Sequence, residues 1–193
     1  MNKFPFDYSD TIATKNLYMR PYREGDGPML YAAGIRNRIH FAEFEPGNIL
    51  MFLENEVQAE EIVRKIVTDW ATSKHFLIGI YEKDSDAWAG QVYVGPTNWD
   101  LPEFTIGYVA DVHYEGKGYI FEAVTAVIRT LFENMGAHRV RSDCHEDNIR
   151  SQRLLERCGF KREGHLRENK RNDDGSFHGD YLYGLLQQEF ENR

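Results

Sequence analysis

Residues 108–119 read Tyr-Val-Ala-Asp-Val-His-Tyr-Glu-Gly-Lys-Gly-Tyr and pass from an alternating apolar segment, through two glycines, into a long amphipathic one. Glycine lets the backbone approach a bound group closely, and the first turn of a helix offers unpaired amides at the positive end of its dipole. Together these features make Glu115, Gly116, Lys117, Gly118, Tyr119 and Ile120 a candidate anion site, with a pyrophosphate as the natural guest. The same spacing also serves as a tight turn. It is not a Walker A loop, which needs a longer glycine spacing ending in Lys-Ser or Lys-Thr. Nor is it a dinucleotide fingerprint, which wants three glycines on a parallel sheet. His145, in a loop, could exchange protons near neutrality. Cys144 and Cys158 read as core thiols, since two cysteines give no zinc-ligand spacing and no disulfide framework. No metal site is expected.

The elements that must hold this loop follow from periodicity. Apolar and polar residues alternate over residues 17–22, then Asp26 stands where a helix cap belongs, with Pro28 in the first turn and a helix expected to about Gly34. Residues 36–54 are aromatic and lack a clean period, so a functional loop or broken helix is expected there. From 56 to 70, Ala59, Ile62, Val63, Ile66, Val67 and Trp70 recur at helical spacing. Strands over 76–81, 88–94 and 104–109 are separated by short turns and should form an antiparallel meander. The strongest helix covers about 118–135, with Val124, Val127, Ile128 and Leu131 on its apolar stripe and Gly136 as its stop. A strand over 139–144, a helix over 148–157 and strands near 160–167 and 177–186 complete the order. The expectation is a single α/β domain over residues 1–193, with its core at about 15–187, built as one sheet flanked by helices.

Composition narrows the partners. At 193 residues the chain matches one domain, because domains cluster near ~100 to 200 residues. Hydrophobic residues make up 41%, enough to bury a core and exclude whole-chain disorder. A net charge of -8 argues against nucleic acid as the main partner and would favour a cationic substrate. The opening Met1-Asn2-Lys3-Phe4-Pro5-Phe6-Asp7 has no apolar h-region, and no stretch approaches a membrane span, so a cytoplasmic location and no membrane contact are expected.

With this order in hand, the Glu115-Gly116-Lys117-Gly118-Tyr119 loop resembles the acetyl-CoA loop of the Gcn5-related N-acetyltransferase (GNAT) superfamily. Downstream, Asn148-Ile149-Arg150-Ser151 and Leu154-Leu155-Glu156-Arg157-Cys158-Gly159-Phe160 are similar to the Asn-x-x-Ser helix and Gly-Phe ending of its ribosomal-protein alanine/serine acetyltransferase branch. Residues 17–26 also look like that branch's opening strand. The resemblance covers about residues 17–186. It implies a GNAT fold: a mixed, mostly antiparallel seven-stranded sheet, about four helices, and a splayed gap between the fourth and fifth strands that admits the pantetheine arm.

The resemblance also implies roles. Tyr108, Val109 and Ala110 would bond the arm through their backbone, residues 115–120 would bind the pyrophosphate, and Asn148 would contact the cofactor. A placed amine can attack a thioester directly, which leaves three tasks: deprotonating the ammonium, polarising the carbonyl and protonating the thiolate. A backbone amide near Val109 or Ala110 would polarise the carbonyl. Many relatives protonate the thiolate with a Tyr where this chain has Leu155, so Ser151, one turn earlier, is the substitute. Relatives often place the basic Glu where Thr105 stands here, so Glu103, two residues earlier on the same strand face, is the candidate base, with His145 second. Glu115 and Ile120 also depart from the usual loop pattern, and Ile120's stripe position points it into the core.

The acceptor pocket would form from residues 36–53, with Phe41, Glu43, Phe44, Glu45 and Phe52, and from residues 168–178. The implied activity is acetyl transfer from acetyl-CoA to a primary amine, either a protein N-terminus of ribosomal-protein type or a small amine such as a polyamine or antibiotic. Leu155, Thr105 and Ile120 leave a non-catalytic acyl-CoA-binding module as the rival. Homodimerisation is common among relatives.

Overall fold

The computed structural model describes residues 11–172 and 174–192. The Met1 to Asp7 opening lies outside them. The chain starts with β1 (Ile12–Ala13) and β2 (Leu17–Pro21), whose Leu17, Met19 and Pro21 point inward while Tyr18 and Arg20 are half-buried. Helix α1 (Gly27–Phe44) follows with Pro28 in its first turn. Asp26 does not cap it through its side chain; the carboxylate instead takes two bonds from Arg20, at 2.7 and 2.9 Å, and one from the Arg23 amide.

Residues 36–54 are corrected by the structure. Helix α1 runs ten residues past Gly34, and a short 3-10 turn (Ile49–Phe52), capped by Asn48, leads to α2 (Glu56–Ala71). The helical period is hidden in the sequence because its buried face holds the polar Asn37, while Ile35 and Ile39 face solvent at 54% and 92% exposure. Asn37 is satisfied there, donating to Ala33 O and to Asp111.

Strands β3 (Phe76–Glu82), β4 (Trp88–Asn98) and β5 (Glu103–Ala110) form the expected antiparallel meander. A 3-10 turn (Val112–Tyr114) and the glycine loop deliver the chain to α3 (Tyr119–Glu133), whose Ala123, Val124, Val127, Ile128 and Leu131 are buried. The remaining elements are β6 (Arg139–His145), α4 (Ile149–Arg157), β7 (Lys161–Arg171), β8 (Phe177–Leu186) and a short α5 (Gln187–Glu191). The sheet order is β1-β2-β3-β4-β5-β6-β8-β7, with β5 and β6 parallel and every other pair antiparallel. Among the described residues eight strands thus replace the expected seven, the addition being the two-residue β1, and five helices replace about four.

The sheet has a core on each face. Phe104 and Ile106 of β5 and Val140 and Cys144 of β6 pack under α3 and with Leu155 of α4. Val109 of β5 packs with Leu30, Phe41, Ala59 and Val63 of α1 and α2. Alternation along a strand sends successive side chains to opposite faces, so β5 divides its residues between the two helical layers. Cys144 and Cys158 are buried and form no disulfide, as the sequence suggested. No described helix is long and apolar enough to cross a membrane.

Candidate active site

The sheet forks at β5 and β6. Their parallel pairing holds at Glu103, Phe104 and Thr105, opposite Arg139, Val140 and Arg141, and ends there. At the apex Ser142 Oγ donates to Ile106 O at 3.0 Å. Beyond this point β5 bonds only to β4 on its other edge. The Asp111 amide donates to Ala89 O, and the register is unbroken from Gly90↔Ala110 to Pro96↔Phe104. In an antiparallel ladder alternate residues turn their N–H and C=O to the partner strand. Gly107 and Val109 therefore bond β4, whereas Tyr108 and Ala110 present their peptide groups to the gap. Of the three residues expected to bond an extended ligand, Tyr108 and Ala110 face it and Val109 does not.

The loop after β5 is held from behind. Asp111 is fully buried, and its carboxylate takes bonds from Arg36 Nε at 2.9 Å, Asn37 Nδ2 at 3.0 Å and the His113 amide at 2.9 Å. Asn37 Oδ1 in turn accepts from the Val112 amide at 2.8 Å. Burial alone would raise the Asp111 carboxyl, but the bonds from Arg36, the His113 amide and Asn37 hold it below its ordinary value. Gly116 and Gly118 then adopt φ of +74° and +79°, a region closed to most side chains, and Gly118 is the N-cap of α3. Among the described residues no acceptor meets the amides of Gly116, Gly118, Tyr119 or Ile120. These are the donors an anion needs.

The loop side chains turn away from those amides. Lys117 Nζ lies over the Tyr114 ring at 4.4 Å, Tyr119 Oη donates to Glu82 at 2.6 Å, and Ile120 packs on the core beneath α3. Glu115 pairs with Arg150 at 2.8 Å and His40 at 3.2 Å, joining the loop to α4 and α1. A groove of about 450 Å³ opens beside Gly118 between α3 and the β1–β2 turn, lined by Phe121, Thr125, Arg129 and Arg157 among others. Among the described residues no group of His, Cys, Asp or Glu is arranged to hold a metal.

Across the gap, Asn148 caps α4 by accepting from the Ser151 amide at 3.0 Å, which fixes Ser151 in the first helical turn. Ser151 Oγ lies 2.8 Å from Tyr108 Oη. Burial raises the Tyr108 hydroxyl far above its usual value, and burial likewise lifts the neighbouring Cys144 thiol to about 11. Both therefore keep their protons near neutrality. The Tyr108 side chain was missed by sequence reasoning, which used only its backbone.

Glu103 is not brought to this pair. It lies at the closed end of the fork, 3.4 Å from Arg139 and 3.9 Å from Arg141, about 16 Å of strand away from Tyr108. Its carboxylate is occupied there by the two arginines. On the α1 side of the gap, Phe44 stacks edge-on against His145 at 5.4 Å, and His145 stacks on His178 at 4.0 Å. Burial and the His178 charge lower the His145 pKa, so its ring is neutral at physiological pH. The acceptor-pocket residues 168–178 include Asp173, outside the described residues; around it, Lys170 pairs with Asp180 at 2.9 Å.

Comparison with known proteins agrees with this geometry. Residues 16–161 match the family described as acetyltransferase (GNAT) domain. The putative ribosomal N-acetyltransferase YdaF of Bacillus subtilis is 31% identical over 154 residues, covering 75% of this chain and 80% of its own. The ribosomal protein uS5-alanine N-acetyltransferase of Escherichia coli is 38% identical over 63 residues, 33% of this chain and 32% of that protein. Among solved structures, the ribosomal-protein-S5-alanine acetyltransferase from Vibrio fischeri superposes with a TM-score of 0.82 at 20% identity, covering 93% of this chain and 97% of that one. RimL, a ribosomal L7/L12 alpha-N-protein acetyltransferase in complex with coenzyme A, gives 0.82 at 17% identity, over 92% and 98%. A forked sheet, a glycine loop with open amides and a family match over most of its length lead to one conclusion: this chain belongs to the GNAT acetyltransferases.

Proposed function

We propose that the chain moves the acetyl group of acetyl-CoA to the primary amine of a protein N-terminus, with Ser151 and Tyr108 handling the proton on the leaving-group side. The observation that carries the reading is the 2.8 Å contact of Ser151 Oγ with Tyr108 Oη across the mouth of the fork. When bound, acetyl-CoA supplies an acyl thioester open to attack by a neutral amine.

The residues present fit that ligand. The amides of Gly116, Gly118, Tyr119 and Ile120 would grip its pyrophosphate, with Glu115 and Lys117 contributing backbone rather than charge. The gap-facing peptide groups of Tyr108 and Ala110 would bond the arm as a missing strand would, and the Ala110 amide would polarise the acyl carbonyl. Asn148 sets the pitch of Ser151 while its side-chain N–H2 remains available as a donor. Ser151 Oγ gives a proton to the departing sulfur and regains one from solvent, while the Tyr108 hydroxyl orients it by hydrogen bonding, so the hydroxyl pair does the work that Leu155 cannot.

Two relatives named for ribosomal-protein acetylation, and the acidic Glu45 and Asp143 on the acceptor side, support an N-terminal amine over a small molecule. The test is thiol release from acetyl-CoA with Ala- and Ser-initiated hexapeptides, spermine and kanamycin. Turnover on the peptides at least tenfold above the small amines is the expected result. Coenzyme A binding without turnover on any acceptor would replace this reading with a binding module.

A further inference from the structure

Glu45 closes α1 with its amide bonded to Phe41 O at 2.7 Å, and Phe44 beside it is seated on His145 of β6. That anchorage carries the end of α1 over the fork. Glu45 is an exposed residue whose carboxyl is nonetheless desolvated by the protein around it, and among the described residues the carboxylate has no hydrogen-bond or ion-pair partner. Its charge is felt by Lys170 of β7, Asp143 of β6 and Tyr108 of β5, so it stands within electrostatic reach of the hydroxyl pair.

Register fixes the level at which it sits. Glu103 is opposite Arg139 and Thr105 opposite Arg141, so Asp143 comes level with Gly107, one residue from Tyr108. Gly107 belongs to the α1-facing set of β5 residues, and a side chain there would meet only Tyr93 Cβ, at 3.9 Å. The α1 face of β5 is therefore bare beside the reacting end, and Glu45 and Asp143 overlook the opening.

We propose that Glu45 is the general base that takes the proton from the acceptor amine, which reaches the fork over Gly107; this rests on the acetyltransferase reading above. The amine nitrogen forms its bond to the acyl carbon, and the carbon–sulfur bond breaks with its electron pair on sulfur. The nitrogen's proton passes to a Glu45 oxygen, and the sulfur takes one from Ser151. A base works best when its pKa lies near the working pH. Desolvation by the surrounding protein raises the Glu45 carboxyl to about 7, Lys170 opposes that rise and Asp143 adds to it. Nearby, His145 is held neutral beside His178, and Asp180 of β8 is held charged by Lys170 and Asn169.

The experiment compares wild type, E45Q and E103Q on the best hexapeptide acceptor from pH 5.5 to 9.5, with coenzyme A affinity measured by calorimetry for each. The wild-type kcat/KM should rise with pH through about 7, as the carboxylate forms. E45Q should bind coenzyme A as wild type does, lose about 100-fold in kcat/KM at pH 7, and recover most of that loss by pH 9.5, where the acceptor arrives already neutral. An E45Q enzyme with wild-type kcat/KM and profile overturns the proposal, as does a pH-dependent deficit found in E103Q instead. Wild-type turnover on the peptides shows that the parent reading stands whichever way Glu45 behaves.

Discussion

Arg36 and Asp111 tie the first long helix to the loop that follows β5: Arg36 Nε donates to Asp111 Oδ2 at 2.9 Å, and the carboxylate has no exposed surface. Because Asn37 and the His113 amide bond the same carboxylate, the loop's start is fixed before any ligand arrives. Asp111→Asn should cost about 3 kcal/mol, since it unpairs Arg36 and weakens a buried network. The sign of the pH effect follows from the depressed Asp111 carboxyl. Its contribution is present above the ordinary value of 3.8 and is lost as pH falls through the lower folded value. Urea melts between pH 2.5 and 6 should show wild type losing stability toward the acid end, and the variant losing less.

Ser151→Ala and Tyr108→Phe test the hydroxyl pair. Ser151→Ala should lower kcat about 100-fold with coenzyme A affinity intact. Tyr108→Phe should lower it less, because Ser151 still holds a proton, and the double variant should add little to Ser151→Ala. Burial keeps the Tyr108 hydroxyl protonated well past neutrality, so wild type should show no alkaline fall from this residue below pH 10. Steady-state kinetics across that range will check both.

The glycine at the head of α3 is a conformational requirement rather than a packing one. Gly118 has φ of +79°, and a side chain there would meet nothing within 4 Å. Gly118→Ala should therefore cost about 1 kcal/mol of stability and misdirect the amides behind it, weakening coenzyme A binding roughly tenfold. Calorimetric titration with coenzyme A measures this directly.

Gly107→Val should fold well, because a β-branched residue suits a strand and the space is open. It should raise the acceptor KM about tenfold and leave coenzyme A affinity unchanged, since it obstructs only the α1 side. Equal effects on both ligands would show that the two do not approach from opposite faces.

Much of this arrangement could be read from residue order, and its gaps have physical causes. The α3 stripe is apolar enough that its expected span, 118–135, differs from the observed Tyr119–Glu133 only at the ends. Helix α1 was truncated at Gly34 because a buried Asn37 and exposed Ile35 and Ile39 invert the pattern that marks a helix. Strand β1 is two residues long and leaves no periodic trace. The glycine loop and the capped turn that carries Ser151 were legible because their structural signals are local. Tyr108's hydroxyl was not, since its contact with Ser151 joins residues 43 apart in sequence, and Glu45 was legible only as an acidic member of the acceptor pocket. Glu103 looked suitable by spacing, and only the fold supplies the arginines that occupy it.

Strand β5 serves both helical layers by simple alternation, with Tyr108 turned to α4 and Gly107 to α1. A deletion or insertion of one residue between Thr105 and Tyr108 would invert that parity. The Tyr108 ring would then turn to the α1 side, and Ser151 would lose its hydroxyl partner. Length changes in this short stretch should accordingly be far less tolerated than substitutions within it.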